Sequence, residues 1–222
     1  MARSQHPRPS SGVTRFTSTP AILTMALAFF ALALLVKKHP TLELDKKIAR
    51  AAQAVHIPGY QPLMHFLSWT GYLPQVLFEV GVAILYLTLI KRKLEAALLT
   101  FSTLGMAFGG YAIKLWVNRP RPSPDLVRVT YPELDAGRLS FTAGHVQANV
   151  SVLGFLSFLI WLQEHKTMWQ KALLGFFLTI IALGGPSRLY EGAHWFTDIL
   201  GGYLWGLVWL MISIRLYLQA LG

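Results

Sequence analysis

Apolar residues fall along this chain in blocks too long and too uniform for the surface helices of a soluble domain. Residues 20–36 (PAILTMALAFFALALLV) carry no charge and stop at Lys37-Lys38. This predicts a first transmembrane helix, short for a hydrocarbon core of about 30 Å, with both lysines reaching to the head groups. A basic start before a short apolar run also describes a signal peptide, but no small-residue cleavage segment follows. Further blocks predict spans over 73–90, 95–117, 145–162, 168–185 and 194–215. Gly105, Gly109 and Gly110 in the third span, and Gly201, Gly202 and Gly206 in the sixth, would let neighbouring helices approach closely.

Between the first two spans the pattern changes. Residues 41–56 place Leu44, Ile48, Ala52 and Val55 at helical spacing, with Asp45, Lys46, Lys47 and Arg50 among them. That pattern predicts an amphipathic helix on the membrane surface, ended by Pro58-Gly59. Residues 61–70 predict a second interfacial piece, with Trp69 and Tyr72 at head-group depth. His56 and His65 have no partner at ligand spacing and read as ordinary interfacial histidines. Residues 1–19, rich in Pro, Ser and Arg, predict a disordered tail. The expected fold is all-α: a polytopic six-transmembrane-helix bundle with an interfacial amphipathic helix, forming one domain over 20–217.

Composition agrees: 54% of the 222 residues are hydrophobic and 14% charged, against about 25% charged in soluble domains. The net charge of +10 fits anionic lipid head groups or anionic substrates. No basic run is interleaved with aromatics in a soluble region, so nucleic acid is set aside as a partner. The chain has no cysteine, which excludes disulfides and thiolate metal sites. The sequence does not indicate an oligomeric state.

Six spans would place both termini on one side, and the end of span three and the starts of spans four and six on the other. Lys and Arg counts do not decide between the sides. The tight Lys91-Arg92-Lys93 turn and the basic tail favour cytoplasmic termini and an outward-facing site in the plasma or inner membrane.

Three stretches at those span ends carry chemistry. Lys114, at the end of span three, is separated by six residues from Arg121-Pro122. A cation at that depth calls for an anion or a watery cavity, though snorkelling residues also collect at helix ends. Ser140 to His145 leads into span four, and a small-residue turn there offers backbone N–H groups to an anion. A helix cap with a chance histidine is the plain alternative. Ser187-Arg188, five residues, His194, three residues and Asp198 form the third stretch. If a helix begins near His194, the i,i+4 spacing puts His194 and Asp198 on one face, about 6 Å apart at Cβ. A carboxylate could then hold one imidazole nitrogen and leave the other as nucleophile or base, with Arg188 as a fork for an oxyanion. A cap plus a satisfied histidine is again the alternative.

Together the three stretches resemble the type 2 phosphatidic acid phosphatase superfamily of membrane lipid phosphatases. Its pattern is Lys, six residues, Arg-Pro; then Pro-Ser-Gly-His; then Ser-Arg, five residues, His, three residues, Asp. The first and third motifs match in full. The second departs: Thr142-Ala143-Gly144-His145 keeps the glycine and histidine but lacks the serine, which in the family helps bind phosphate. Losing one hydrogen bond to a charged oxygen costs about 1.5–3 kcal/mol, so a weakened or differently tuned enzyme is expected.

The resemblance implies that His194 attacks phosphorus to form a phosphohistidine, Asp198 orients it, and His145 protonates the leaving oxygen. It implies that Lys114, Arg121 and Arg188, with the Gly144 N–H, Thr142, Ala143 and Ser187, cradle the phosphate. Arg119, Arg138 and Glu191, along with Arg128 and Tyr131, are expected at a head-group entrance. No cofactor or metal is expected, and Asp125, Glu133 and Asp135 read as scattered loop residues. The expected substrate is a membrane lipid phosphate: undecaprenyl diphosphate, phosphatidylglycerol phosphate, phosphatidic acid or a lipid A phosphate. A lipid phosphotransferase using the same site is one alternative. A non-catalytic lipid-phosphate binder or transporter, flagged by Ala143, is the other.

Overall fold

The computed structural model describes residues 11–130 and 139–221. Every regular element among them is helical. In chain order these are α1 (Ser11–Phe16), α2 (Thr19–Lys38), α3 (Glu43–Gln53), α4 (Tyr60–Thr70), α5 (Leu73–Leu89), α6 (Lys93–Val117), α7 (Gly144–Trp161), α8 (Met168–Tyr190) and α9 (Phe196–Leu221). Five of them, α2 and α6 to α9, are long and apolar enough to cross a bilayer, and α4 with α5, bent by 61° at their break, is long and apolar enough only as a pair. The chain is a multi-pass membrane protein. The tail predicted over 1–19 is shortened, because Ser11–Phe16 is helical and Ser18 caps α2 by accepting from the Ala21 N–H. Residues 1–10 lie outside the described residues.

Burial follows the two-sided demand on each span. On α2, Phe29, Ala33 and Val36 are buried against Ile113, Val117 and Phe141, while Leu23, Leu27, Phe30 and Leu34 remain exposed as a lipid-facing side. The central core joins α5, α6, α7 and α9 through Val80, Leu99, Phe155 and Tyr217. Gly105 and Gly109 receive the rings of Trp209 and Trp205 from α9, the close approach expected of small residues in a span. α7 carries a π-helical turn over Asn149–Leu153.

α8 runs five residues further than the apolar block predicts, through Pro186 to Tyr190. Proline has no N–H for the carbonyl four residues back, which ordinarily ends or kinks a helix. Here the orphaned Ala182 carbonyl accepts from the Tyr203 hydroxyl of α9 at 3.1 Å, and the Ile181 carbonyl does so at 2.8 Å. The helix therefore continues and carries Ser187 and Arg188 in its last turn.

Candidate active site

Four helix ends meet on one side of the bundle: the last turns of α6 and α8, and the first turns of α7 and α9. Asn118 leaves α6 in the left-handed conformation (φ 53°), a common helix stop. Gly192 turns the chain between α8 and α9 at φ 69°. Its missing side chain also matters, since a Cβ there would collide with the Arg128 carbonyl.

The histidine–aspartate pair is held differently from the expected single helix face. α9 starts at Phe196, so His194 lies in the preceding turn. Asp198 Oδ2 accepts the Trp195 N–H at 2.9 Å, capping the helix while facing the imidazole. His194 Nδ1 is 3.7 Å from that oxygen, an ion-pair distance beyond hydrogen-bond range. Ser140 closes the gap: its hydroxyl donates to Asp198 Oδ2 and lies 3.4 Å from His194 Nδ1. Catalytic hydrogen bonds are often long before substrate binds.

His194 is buried, and burial is the largest cause pushing its imidazole well below the ordinary histidine range. Arg121, Lys114 and Arg188 add to that push by disfavouring a further positive charge. The three cations of the first and third motifs therefore converge on this ring. Lys114 Nζ donates to the Leu139 carbonyl at 2.7 Å, and Arg121 Nη1 to the Ala193 carbonyl at 2.9 Å. Arg188 Nη1 donates to Glu191 Oε2 at 2.9 Å and to Ser68 Oγ at 2.5 Å.

His145 stands in the first turn of α7. The ring of Tyr72 meets it edge-on at 5.2 Å, and its Nε2 is buried with no hydrogen-bond partner among the described residues. The Ala143 N–H donates to the Asp198 carbonyl at 3.1 Å, tying the turn to α9. The Gly144 and His145 N–H groups belong to the helix N-terminus, where no intrahelical carbonyl serves them. A Cβ at Gly144 would meet nothing within 4 Å. Thr142 and Ser187 are placed otherwise than a phosphate-binding role predicts. The Thr142 hydroxyl donates to Gln147 Oε1 at 2.6 Å, and the Ser187 hydroxyl to the Gly184 carbonyl at 2.7 Å, both fully buried.

The entrance assignments need correction. Arg119 is buried, not at an entrance: it donates to Asp198 Oδ1 at 2.6 Å, to Asp45 Oδ2 at 2.5 Å and to the Pro40 carbonyl at 2.8 Å. Glu191 is also buried, bridging Arg188 and His65, whose Nδ1 lies 2.9 Å from Oε1. Arg138, Tyr131, Glu133 and Asp135 fall outside the described residues. Asp45, Ser68 and Gly71 join the site from outside the three stretches, and Ser140, which opens the second stretch, joins it without matching a position of the family pattern. For Asp45 a signal existed: an acid on the apolar side of an amphipathic pattern. Among the described residues, no three His, Asp or Glu side chains gather to hold a metal ion.

Fold and site together define a multi-pass membrane protein that gathers three cations and two histidines at one end of its helix bundle. The PAP2 superfamily model matches residues 95–221, which include every motif residue, and the chain belongs to that superfamily. It is a phosphatase of the membrane PAP2 type. It is 25% identical over 195 residues to phosphatidylglycerophosphatase B of Bacillus subtilis (strain 168), covering 84% of this chain and 89% of that protein. Its fold matches the crystal structure of a transmembrane PAP2-type phosphatidylglycerolphosphate phosphatase from Bacillus subtilis (TM-score 0.74, 21% identity, 89% of this chain and 96% of that one). It also matches Aquifex aeolicus LpxE (TM-score 0.60, 20% identity, 80% and 98%).

Proposed function

We propose that the protein hydrolyses a lipid phosphomonoester, phosphatidylglycerol phosphate first among the candidates, through a phosphohistidine on His194. One observation carries the reading: a buried His194 ring backed by Asp198 and ringed by Lys114, Arg121 and Arg188, with the unpartnered Nε2 of His145 buried nearby. Phosphoryl transfer needs positioning and charge stabilisation above all, and fixed cations supply both. The free nitrogen of neutral His194 attacks phosphorus as the bond to the lipid oxygen breaks. Protonated His145 gives that oxygen its proton. Water then attacks phosphorus, its proton returns to His145, the N–P bond breaks, and inorganic phosphate leaves. Asp198 offsets the positive imidazole of the intermediate. The substrate is favoured by the 25%-identical relative, a phosphatidylglycerophosphatase; undecaprenyl diphosphate, phosphatidic acid and lipid A phosphates complete the panel.

The site lies at the bundle end carrying α3 and α4, which fits an outward-facing site with cytoplasmic termini. Lipid enters sideways between spans with its tails still in the bilayer. Phosphate release from the panel should be measured in detergent with EDTA, beside His194→Ala. Release that survives EDTA and vanishes in His194→Ala is expected. Release lost to EDTA, or retained without His194, would overturn the mechanism. Transfer of phosphate to an added lipid alcohol would mark a phosphotransferase, and binding without release a lipid-phosphate binder.

A further inference from the structure

Asp198 is fixed by a residue outside the family motifs. Arg119 presents one edge of its guanidinium to two carboxylates: Nη1 to Asp198 Oδ1 at 2.6 Å, Nη2 to Asp45 Oδ2 at 2.5 Å. Both ion pairs are completely buried. Asp45 in turn accepts the Thr197 N–H at 2.9 Å on Oδ1 and the Thr197 hydroxyl at 2.9 Å on Oδ2. The interfacial helix α3 therefore reaches the first turn of α9 twice, once directly and once through Arg119.

A buried ion pair is weak evidence for stability, since desolvation offsets attraction. Two carboxylates and one guanidinium leave one net negative charge in this cluster, directly behind the imidazole. The planar fork sets where Asp198 points and how much of its charge His194 feels. We propose that Arg119 and Asp45 are positioning residues for the reaction: α3 acts through them to aim the Asp198 carboxylate at His194 and to set its effective charge.

The inference deepens the proposed hydrolysis and rests on His194 as nucleophile. The groups around that ring are Lys114 of α6, Arg119 and Arg121 of the following loop, His145 of α7, Arg188 of α8 and Asp198 of α9, with Asp45 of α3 behind Arg119. Removing Arg119's charge exposes His194 to the full Asp198 charge and favours the imidazolium. Removing Asp45's charge leaves Arg119 less neutralised and disfavours it. A scaffold that served only stability would not move the ring's titration in opposite senses.

The test compares the full-length protein with Arg119→Gln and Asp45→Asn. Asp45→Asn keeps an acceptor for the Thr197 N–H, so the cap on α9 survives. His194 titration is read by NMR of histidine-labelled protein in micelles, assigned with His194→Ala, and kcat and KM are measured in parallel. Expected are an upward shift of His194 in Arg119→Gln and no upward shift in Asp45→Asn. In both, kcat should fall about 10- to 100-fold while KM holds within about twofold. Movement in the same direction in both variants, or no movement in either, overturns the inference. The NMR readout needs no turnover, so an inactive parent with opposed shifts would sink the phosphatase reading and leave standing only the coupling of Arg119 and Asp45 to the His194 ring.

Discussion

Ser68, on a helix that carries no motif residue, lies 2.5 Å from the Arg188 guanidinium and donates its own proton to Glu191. Arg188 therefore owes its position to α4 as well as to α8. The bent α4–α5 pair meets the candidate site a second time at a residue between its helices, because Arg188 lies over the Tyr72 ring at 5.4 Å.

Replacing Ser68 with alanine would strip a hydrogen bond from two buried charged groups. The expected cost is about 1–3 kcal/mol, read as a lower unfolding midpoint in mixed SDS micelles. KM for the lipid phosphate should rise more than kcat falls if Arg188 holds the phosphate in ground and transition states alike, as the proposed mechanism has it. An unaltered midpoint would mean that the position of Arg188 does not depend on Ser68.

Gly71 sits at the bend between α4 and α5 with φ −94°, a conformation open to any residue. Glycine is required for space: a Cβ there would come within 2.5 Å of His145 Cδ2. Gly71→Ala should push His145, the proposed general acid, aside and lower kcat about 100-fold, with the proposed phosphohistidine slower to form in a rapid-quench experiment. Normal turnover in this variant would show that the bend relaxes without disturbing His145.

Ala143→Ser restores the hydroxyl that the family motif places beside phosphate. Thr142 does not substitute for it, because its proton goes to Gln147. One charge-assisted hydrogen bond regained should raise kcat/KM about tenfold. No gain would place the new hydroxyl among Val146, Val150 and Ile199, the apolar neighbours of the buried Ala143 cluster.

Much of this was readable in the sequence, for identifiable reasons. Long apolar blocks declare spans, and the family spacing located Lys114, Arg121, Arg188, His145, His194 and Asp198. Pairings across the chain were not readable. Arg119 looks like one more loop arginine until Asp45, 74 positions earlier, is found against it. Glu191 and His65 form a contact that neither residue's neighbourhood announces. The persistence of α8 past Pro186 depended on Tyr203, on another helix. Local pattern reports which face of a helix is apolar, but not which polar group on a distant element completes a buried charge.

The titration of His194 gives the last prediction. Burial first, then Arg121, Lys114 and Arg188, hold this imidazole well below its usual range. Between that lowered value and about pH 6.5, where an unfolded histidine titrates, the unfolded chain carries a proton that the folded one lacks. Stability from this site is therefore complete above about pH 6.5 and declines as pH falls below it. His194, the proposed nucleophile, by contrast stays unprotonated through the same window. The acid limb of kcat/KM, which reports the free enzyme, should thus lie below about 6.5 after correction for the substrate's own ionisation. Arg121→Gln removes the neighbouring positive charge that acts most strongly on the ring and should move the limb upward. A limb at the ordinary histidine position in the parent, unmoved in Arg121→Gln, would mean that His194 is solvated during turnover and that the cations act on the substrate alone.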